Sequence, residues 1–198
     1  MADHYYSENQ NSRERVTSFK ETILGKTLVF ESSSGTFSPK KVDKGSLVLI
    51  NNCEINGNER ILDLGCGYGP VGISLAKAYD VDVVMTDINK RAVRFAKKNA
   101  RVNNIDNVVI KQGDGFEKIE GKFDSILLNP PQSAGKELCL NLIRQSKEYL
   151  KEGGRLQIVA RKNKGGKVLS EFMEEAFGNL RVLSKTAGYW VYSSTRFQ

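Results

Sequence analysis

The chain reads as an α/β protein: a doubly wound, mostly parallel sheet of seven strands that ends in an antiparallel hairpin at its C-terminal edge. Three observations predict this. From Arg60 onward short apolar runs alternate with helical patterns, and alternating βα units build parallel sheets covered on both faces. A glycine-rich turn, Asp63-Leu64-Gly65-Cys66-Gly67-Tyr68-Gly69-Pro70, joins the first of those runs to the first of those helices. Near the C-terminus, Leu180–Leu183 and Tyr189–Tyr192 follow each other with no helix between them, which is a hairpin pattern.

Taken in order, residues 1–26 are polar and open on His4-Tyr5-Tyr6-Ser7, and within them Arg15 to Leu24 reads as a short helix. Thr27–Phe30 is a strand and Ser32–Gly35 a turn. Thr36-Phe37-Ser38-Pro39 leads to Val42-Asp43-Lys44-Gly45, and Ser46 to Cys53 is apolar enough for a helix packed on the sheet. No stretch looks like a linker, so residues 1–198 are expected to form one domain, with 1–56 an N-terminal extension packed on the core.

Arg60-Ile61-Leu62 is the first strand of the alternating part, and Val71–Ala78 is its helix. Pro70 suits the first helical position, where its missing N–H costs nothing. Val81–Asp87 is the second strand. The helix Asn89–Asn99 has Ala92, Val93 and Ala96 on its apolar side, and its basic side reads as a solvated face. Val108–Gln112 is the third strand and runs into Gly113-Asp114-Gly115-Phe116; Phe123–Leu128 is the fourth. Lys136–Leu150 is helical until Gly153-Gly154 ends the unit, and Leu156–Ala160 is the fifth strand. Arg161–Gly166 is expected to be a basic, mobile loop, and Val168–Phe177 the last helix. Tyr189 and Trp190 alternate along a strand, so one of them belongs in the core.

Composition narrows the function. At 198 residues, 39% hydrophobic and 27% charged, the chain has room for a substantial core and the balance of a soluble globular protein. No apolar run is long enough to span a membrane and no signal-peptide pattern opens the chain, so a cytoplasmic protein is expected. The net charge of +7 points to an anionic partner, nucleic acid first, with a merely basic surface as the plain alternative. Cys53, Cys66 and Cys139 form no CxxC pair, and the sole histidine, His4, lies in the N-terminal tail. Neither a metal site nor histidine acid–base chemistry is expected.

The glycine turn predicts a nucleotide-like ligand at the carboxyl end of the first strand of the alternating part. Two ligands compete. Gly67-Tyr68-Gly69-Pro70-Val71-Gly72 matches GxGxxG, and Asp87 stands 20 residues after Gly67, where a ribose-binding acid of a dinucleotide site belongs. Against that, Asp63 places a carboxylate where a pyrophosphate needs neutral or positive surroundings. A carboxylate there suits a cation such as the amino group of S-adenosylmethionine (SAM). Asp114 closes the third strand, as expected for an adenine amino group, and the fourth strand ends in Asn129-Pro130-Pro131, which hydride transfer does not need.

These residues together resemble the class I SAM-dependent methyltransferases, whose fold is Rossmann-like. With Phe37-Ser38, Val42-Asp43-Lys44-Gly45-Ser46 and Gly135-Lys136 added, the chain from His4 onward is similar to the small methyltransferase domain of ribosomal RNA guanine-N2 methyltransferases, the single-domain archaeal type above all. The resemblance implies SAM held by Asp63, Gly65, Gly67, Gly69, Asp87, Ile88, Asp114, Gly115, Phe116, Asn129 and Phe37. Asp87 would take both ribose hydroxyls, and Phe116 would lie against the adenine. It implies that Asn129, Pro130 and Pro131 carry the chemistry, with Gln132 and the loop residues Arg161, Lys162 and Lys164 meeting the RNA.

An exocyclic amine on guanine or adenine is a poor nucleophile because its lone pair is delocalised. Acceptors on Asn129 and the Pro130 carbonyl would favour a pyramidal nitrogen aimed at the SAM methyl, so positioning supplies much of the catalysis and no strong base is needed. Gln132 departs from the pattern, since many such enzymes carry an aromatic there to stack on a flipped base. The platform must then come from elsewhere, with Phe37, Tyr5 and Tyr6 as candidates, although Phe37 reads more readily as a core anchor than as a SAM or base contact. Four functions remain open: an RNA methyltransferase, a protein glutamine-N5 methyltransferase, a small-molecule N-methyltransferase, and a SAM-binding RNA assembly factor with no catalysis.

Overall fold

The computed structural model describes residue 8 and residues 13–36, 38–130 and 135–197. One sheet has seven strands in the order β5-β4-β3-β6-β7-β9-β8. They are β3 (Glu59–Leu64), β4 (Val81–Asp87), β5 (Val108–Gln112), β6 (Phe123–Leu128), β7 (Leu150–Arg161), β8 (Arg181–Thr186) and β9 (Tyr189–Thr195). The first five run parallel, and β9 pairs antiparallel with both β7 and β8. Leaving β3, the chain steps outward through β4 to β5, then returns to β6 on the other side of β3. That reversal opens a crevice at the carboxyl ends of β3, β4 and β6.

The central strands are apolar on both faces because both are covered. Ile61 and Leu127 join the core beneath α1 (Lys44–Asn52), α2 (Pro70–Ala78) and α3 (Lys90–Val102). Leu62, Ile126 and Leu128 join the core beneath α4 (Lys136–Tyr149) and α5 (Lys167–Phe177). Tyr189 packs against the first core and Trp190 against the second, each half-buried, so the two rings take opposite faces of the sheet. Among the described residues no helix is long and apolar enough to cross a membrane.

The segment expected as a helix over Arg15–Leu24 is a strand. β1 (Val16–Ile23) pairs with β2 (Lys26–Ser33) along its whole length. Its exposure alternates residue by residue, the period of a strand. The turn between them uses Leu24 and Gly25, both with positive φ (51° and 72°), the geometry of a tight hairpin. Leucine is a poor advertisement for that conformation, which is why the hairpin is hard to see in sequence.

This hairpin docks on α3 through side-chain amides. Asn99 Oδ1 accepts from Glu31 N and its Nδ2 donates to Glu31 O, both at 2.8 Å. One turn later Asn103 repeats the pattern on Val29, at 2.9 and 2.7 Å. The two asparagines thus pair with β2 much as a neighbouring strand would, and they satisfy its outer edge. Lys98 pairs with Glu31, Arg94 with Glu14, and Arg91 donates to Ser34 O. Part of the basic side of α3, expected to be solvated, is therefore an internal seam.

The segment expected as a mobile loop after β7 is a wound turn over Lys162–Gly166 that runs directly into α5. It is tied down by Lys162 N donating to Gly188 O at 3.2 Å. A Cβ on Gly166 would lie 2.6 Å from Arg161 O, so the turn closes only around glycine.

Candidate active site

Four loops meet over the crevice and enclose a cavity of about 240 Å³. The first is the glycine turn between β3 and α2. Gly69 caps α2 with φ 95°, and a Cβ there would meet Ile73 Cδ1 at 2.7 Å. Pro70 follows as the first helical residue. Asp63, at 3% exposure, sits in β3 beneath this turn and accepts from Gly72 N at 2.8 Å. Its second oxygen has no hydrogen-bond partner among the described residues, and the residue lines the cavity. Burial, reinforced by nearby Asp87, pushes the Asp63 carboxyl up to about 7, with the Gly72 N–H holding it back.

Asp87 ends β4. Its carboxylate accepts from Gly67 N and from Asn89 N, each at 2.8 Å, so one side chain links the glycine turn to the start of α3. Burial raises it to about 6, against the lowering effect of both N–H bonds. Ile88 lines the cavity beside it. Past β5, Gly113, Asp114 and Gly115 form the third wall, with the Asp114 side chain exposed at the rim. Phe116 departs from expectation. It is 4% exposed, belongs to the core beneath α4, and stacks on Tyr149 with ring centroids 4.4 Å apart. Its ring supports the turn from below, and Leu138 and Leu142 of α4 supply the apolar surface of that wall.

The fourth wall follows β6. Asn129 Nδ2 donates to Asp43 Oδ2 at 3.2 Å and to Ser46 Oγ at 3.1 Å. A carboxylate can only accept, so the amide orientation is chemically required and the Asn129 carbonyl oxygen is the atom left for a ligand. Asp43 is in turn held as the N-cap of α1, accepting from Gly45 N and Ser46 N. Asp43 and Ser46 are thus positioning residues for Asn129; the motif Asp43-Lys44-Gly45-Ser46 was visible in sequence, but nothing local tied it to a residue 86 positions away. Pro130 lines the cavity beside Asn129. Phe37, Pro131 and Gln132 lie outside the described residues, as do His4, Tyr5 and Tyr6.

Arg161 ends β7 and Lys162 and Lys164 follow it, at the same end of the sheet, without lining the cavity. Arg161 Nε donates to Tyr189 Oη at 2.8 Å and its guanidinium lies 5.0 Å from the centre of that ring. Lys162 and Lys185 both sit over Trp190, at 5.0 and 4.4 Å. Lys164 is exposed in the turn.

The cavity's electrostatics decide what it can hold. Asp43, Asp63, Asp87 and Asp114 line it, and among the described residues no lysine or arginine does. A pyrophosphate would meet four carboxylates and, among the described residues, no cation. A compact cation with a ribose and a planar base would meet carboxylates spaced along the ends of β3, β4 and β5. The Thr86 hydroxyl, buried and without a hydrogen-bond partner among the described residues, adds a polar group at the cavity wall. Cys66 also lines the site, but burial and the neighbouring Asp63 and Asp87 push its thiol well up, so it is no nucleophile.

Comparison with known proteins agrees with this geometry. Residues 27–193 match the model of the methyltransferase small domain. The uncharacterized protein YbxB of Bacillus subtilis (strain 168) is 40% identical over 99% of this chain and 100% of its own length. Ribosomal RNA small subunit methyltransferase C of Haemophilus influenzae (strain PittGG) is 34% identical over 84% of this chain and 51% of its own. The Thermus thermophilus 16S rRNA N2 G1207 methyltransferase RsmC, solved with AdoMet and guanosine, superposes with a TM-score of 0.83 at 26% identity, over 91% of this chain and 50% of that one. The chain therefore spans about half the length of these ribosomal RNA enzymes. A ribosomal protein L11 methylase from Lactobacillus delbrueckii, at TM-score 0.67 and 20% identity, shares the fold alone.

Proposed function

The chain belongs to the methyltransferase small domain family, and from that premise we propose that it transfers a methyl group from SAM to the exocyclic amino group of a guanine in ribosomal RNA. The observation that carries the cofactor is the cavity beneath the glycine turn, whose charged lining among the described residues consists of aspartates alone. Asp63 suits the amino group of the cofactor's methionine part, Asp87 its ribose hydroxyls, and the Gly113–Gly115 turn with Asp114 its adenine. When bound, SAM supplies an activated methyl on a good leaving group. The RNA target rests on the net charge of +7, the cationic edge around Arg161, Lys162 and Lys185, and the ribosomal RNA activities for which the relatives are named. A cytoplasmic location follows from an RNA target.

The work left to the protein is orientation. Asn129, its amide clamped by Asp43 and Ser46, offers its carbonyl oxygen to an incoming amine. The adjacent Pro130 carbonyl offers a second acceptor. Two such acceptors hold both N–H bonds of the amine and leave its lone pair perpendicular to them. The nitrogen loses a proton only after it has become cationic, when solvent suffices, so no buried base is required. A glutamine-N5 substrate would use the same acceptors, and the cationic edge is what favours RNA over it.

Labelled SAM offered with small-subunit ribosomal RNA, with peptide release factors and with free guanosine tests this reading. Label is expected in the guanine N2 of the RNA. Label in a protein glutamine would replace the RNA reading, and SAM binding without any transfer would leave only a binding protein.

A further inference from the structure

The cationic edge is not uniform. Leu127 packs beneath α1, so Asn129, two residues on, faces that same side of the sheet. Val159 also packs there, and Arg161 is two residues further along β7. Arg161 pairs across the ladder with Tyr189, whose ring packs on the α1 side as well. Asn129, Arg161 and Tyr189 thus share one face. Gly45 makes their closeness explicit: a Cβ there would lie 3.1 Å from Tyr189 Cε1 and 3.4 Å from Asn129 Nδ2. Leu128 pairs with Ile158, so Arg161 stands about 7 Å beyond the level of Asn129 along the strand direction. Lys162 and Lys185 instead lie over Trp190, on the opposite face.

The chemistry of Arg161 differs in the same way. Its guanidinium rests on the Tyr189 ring and its Nε is committed to the tyrosine hydroxyl. No carboxylate pairs with it among the described residues. A phosphate contact needs only a charge on a flexible stem, as a lysine provides. A planar group pinned on an aromatic beside an amine-orienting amide fits a planar ligand. We infer that Arg161, held on Tyr189, is the stacking platform for the unpaired base whose amine Asn129 orients, while Lys162 and Lys185 meet phosphates. Resting on the methyltransferase reading above, this assigns to the pair the stacking role that Gln132, next in line after the Asn-Pro-Pro turn, cannot perform.

The test uses the full chain, labelled SAM and small-subunit ribosomal RNA, comparing wild type with Arg161→Lys, Arg161→Ala, Tyr189→Phe and Tyr189→Ala. SAM affinity by calorimetry is expected to be that of wild type in all of them. Arg161→Lys keeps the charge and loses the plane, so kcat/KM for RNA is expected to fall about tenfold, as when one base loses its stacking partner, with the salt dependence of RNA binding unchanged. Tyr189→Phe keeps the ring and releases Arg161, giving a smaller loss of about threefold. If a truncation to alanine fails to fold, these two conservative variants still decide. Arg161→Lys at wild-type efficiency, with Arg161→Ala flattening the salt dependence, overturns the platform and makes Arg161 a phosphate contact while methyl transfer stands. Absence of transfer by the wild-type protein to any RNA overturns the reaction and the platform together.

Discussion

At the scale of single residues, Asp63 is held in a state that costs the fold. Its carboxyl sits at about 7 against an ordinary 3.8, because it is buried with one N–H bond and a second acid nearby. A raised value means the native protein takes up a proton between pH 3.8 and about 7 that the unfolded chain does not. Stability from this group is therefore fully present below pH 3.8 and is lost as pH rises through about 7. Asp63→Asn is expected to stabilise the ligand-free protein at pH 8 by about 1–2 kcal/mol, a gain that fades towards pH 4, while weakening SAM binding. Urea unfolding at both pH values, beside calorimetry with SAM, measures this; a destabilised Asn variant that binds SAM normally would make Asp63 purely structural. A cation beside Asp63 lowers its carboxyl again, so SAM binding near pH 6–7 is expected to release protons and to tighten as pH rises. Calorimetry in two buffers of different ionisation heat reads the proton count directly. Asn129 is proposed to act in catalysis, and its test separates turnover from cofactor binding. Asn129→Ala is expected to leave SAM affinity near wild type and to lower turnover about 10²-fold. Ser46→Ala, which removes one of its two anchors, is expected to cost turnover less, about tenfold, and Asn129→Ala with wild-type turnover would take the chemistry away from this turn.

At the scale of elements, the N-terminal hairpin and the glycine turn are one mechanical unit. Asn99, fully buried, holds β2 through Glu31 and also donates to Tyr68 O, inside the glycine turn, at 2.9 Å. Asn103 holds β2 through Val29 and also donates to Asn99 O, with no bond to the glycine turn among the described residues. Asn99→Ala leaves buried backbone groups unpaired and is expected to cost about 1–3 kcal/mol and to weaken SAM binding as well. Asn103→Ala is expected to cost stability with SAM affinity intact. Equal effects of the two on SAM would remove the link between hairpin and cofactor. The turn over Lys162–Gly166 carries a separate expectation: neutralising Lys162 and Lys164 should lower the salt slope of RNA binding by about 1 for each phosphate that is no longer neutralised.

At the scale of the whole molecule, charge is segregated. A chain of net charge +7 encloses a cavity lined by four aspartates, while Arg161, Lys162 and Lys185 stand outside that cavity on the edge formed by β7, β8 and β9. On the proposed function, this separation would direct a cationic cofactor and an anionic substrate to adjoining regions at one end of the sheet. Reading the chain as one domain predicts a single cooperative transition, with circular dichroism and tyrosine fluorescence coinciding and both midpoints rising with SAM. Two separated transitions, with only the later one moved by SAM, would make the hairpin an independent unit.

The alternation of strands and helices, the three acids at the ends of β3, β4 and β5, and the place of Asn129 just after β6 were legible in sequence because each is a local pattern: a period, a glycine turn, a residue at a strand end. β4, β5 and β6 have the bounds their apolar runs predicted. What was not legible depends on residues far apart in the chain. β1 reads as a helix until β2 supplies its ladder, since the propensity of eight mixed residues is weaker than pairing. Phe116 reads as a ligand contact until Tyr149 is beneath it. The clamp on Asn129 joins residues 83 and 86 positions apart, and the pairing of Arg161 with Tyr189 spans 28. Sequence alone determined which chemistry the chain could perform, because that depends on which groups stand at strand ends. Only the tertiary structure decided which atom of Asn129 is engaged by Asp43 and Ser46 and which side of the sheet Arg161 takes, because both follow from contacts that exist only once the sheet has assembled.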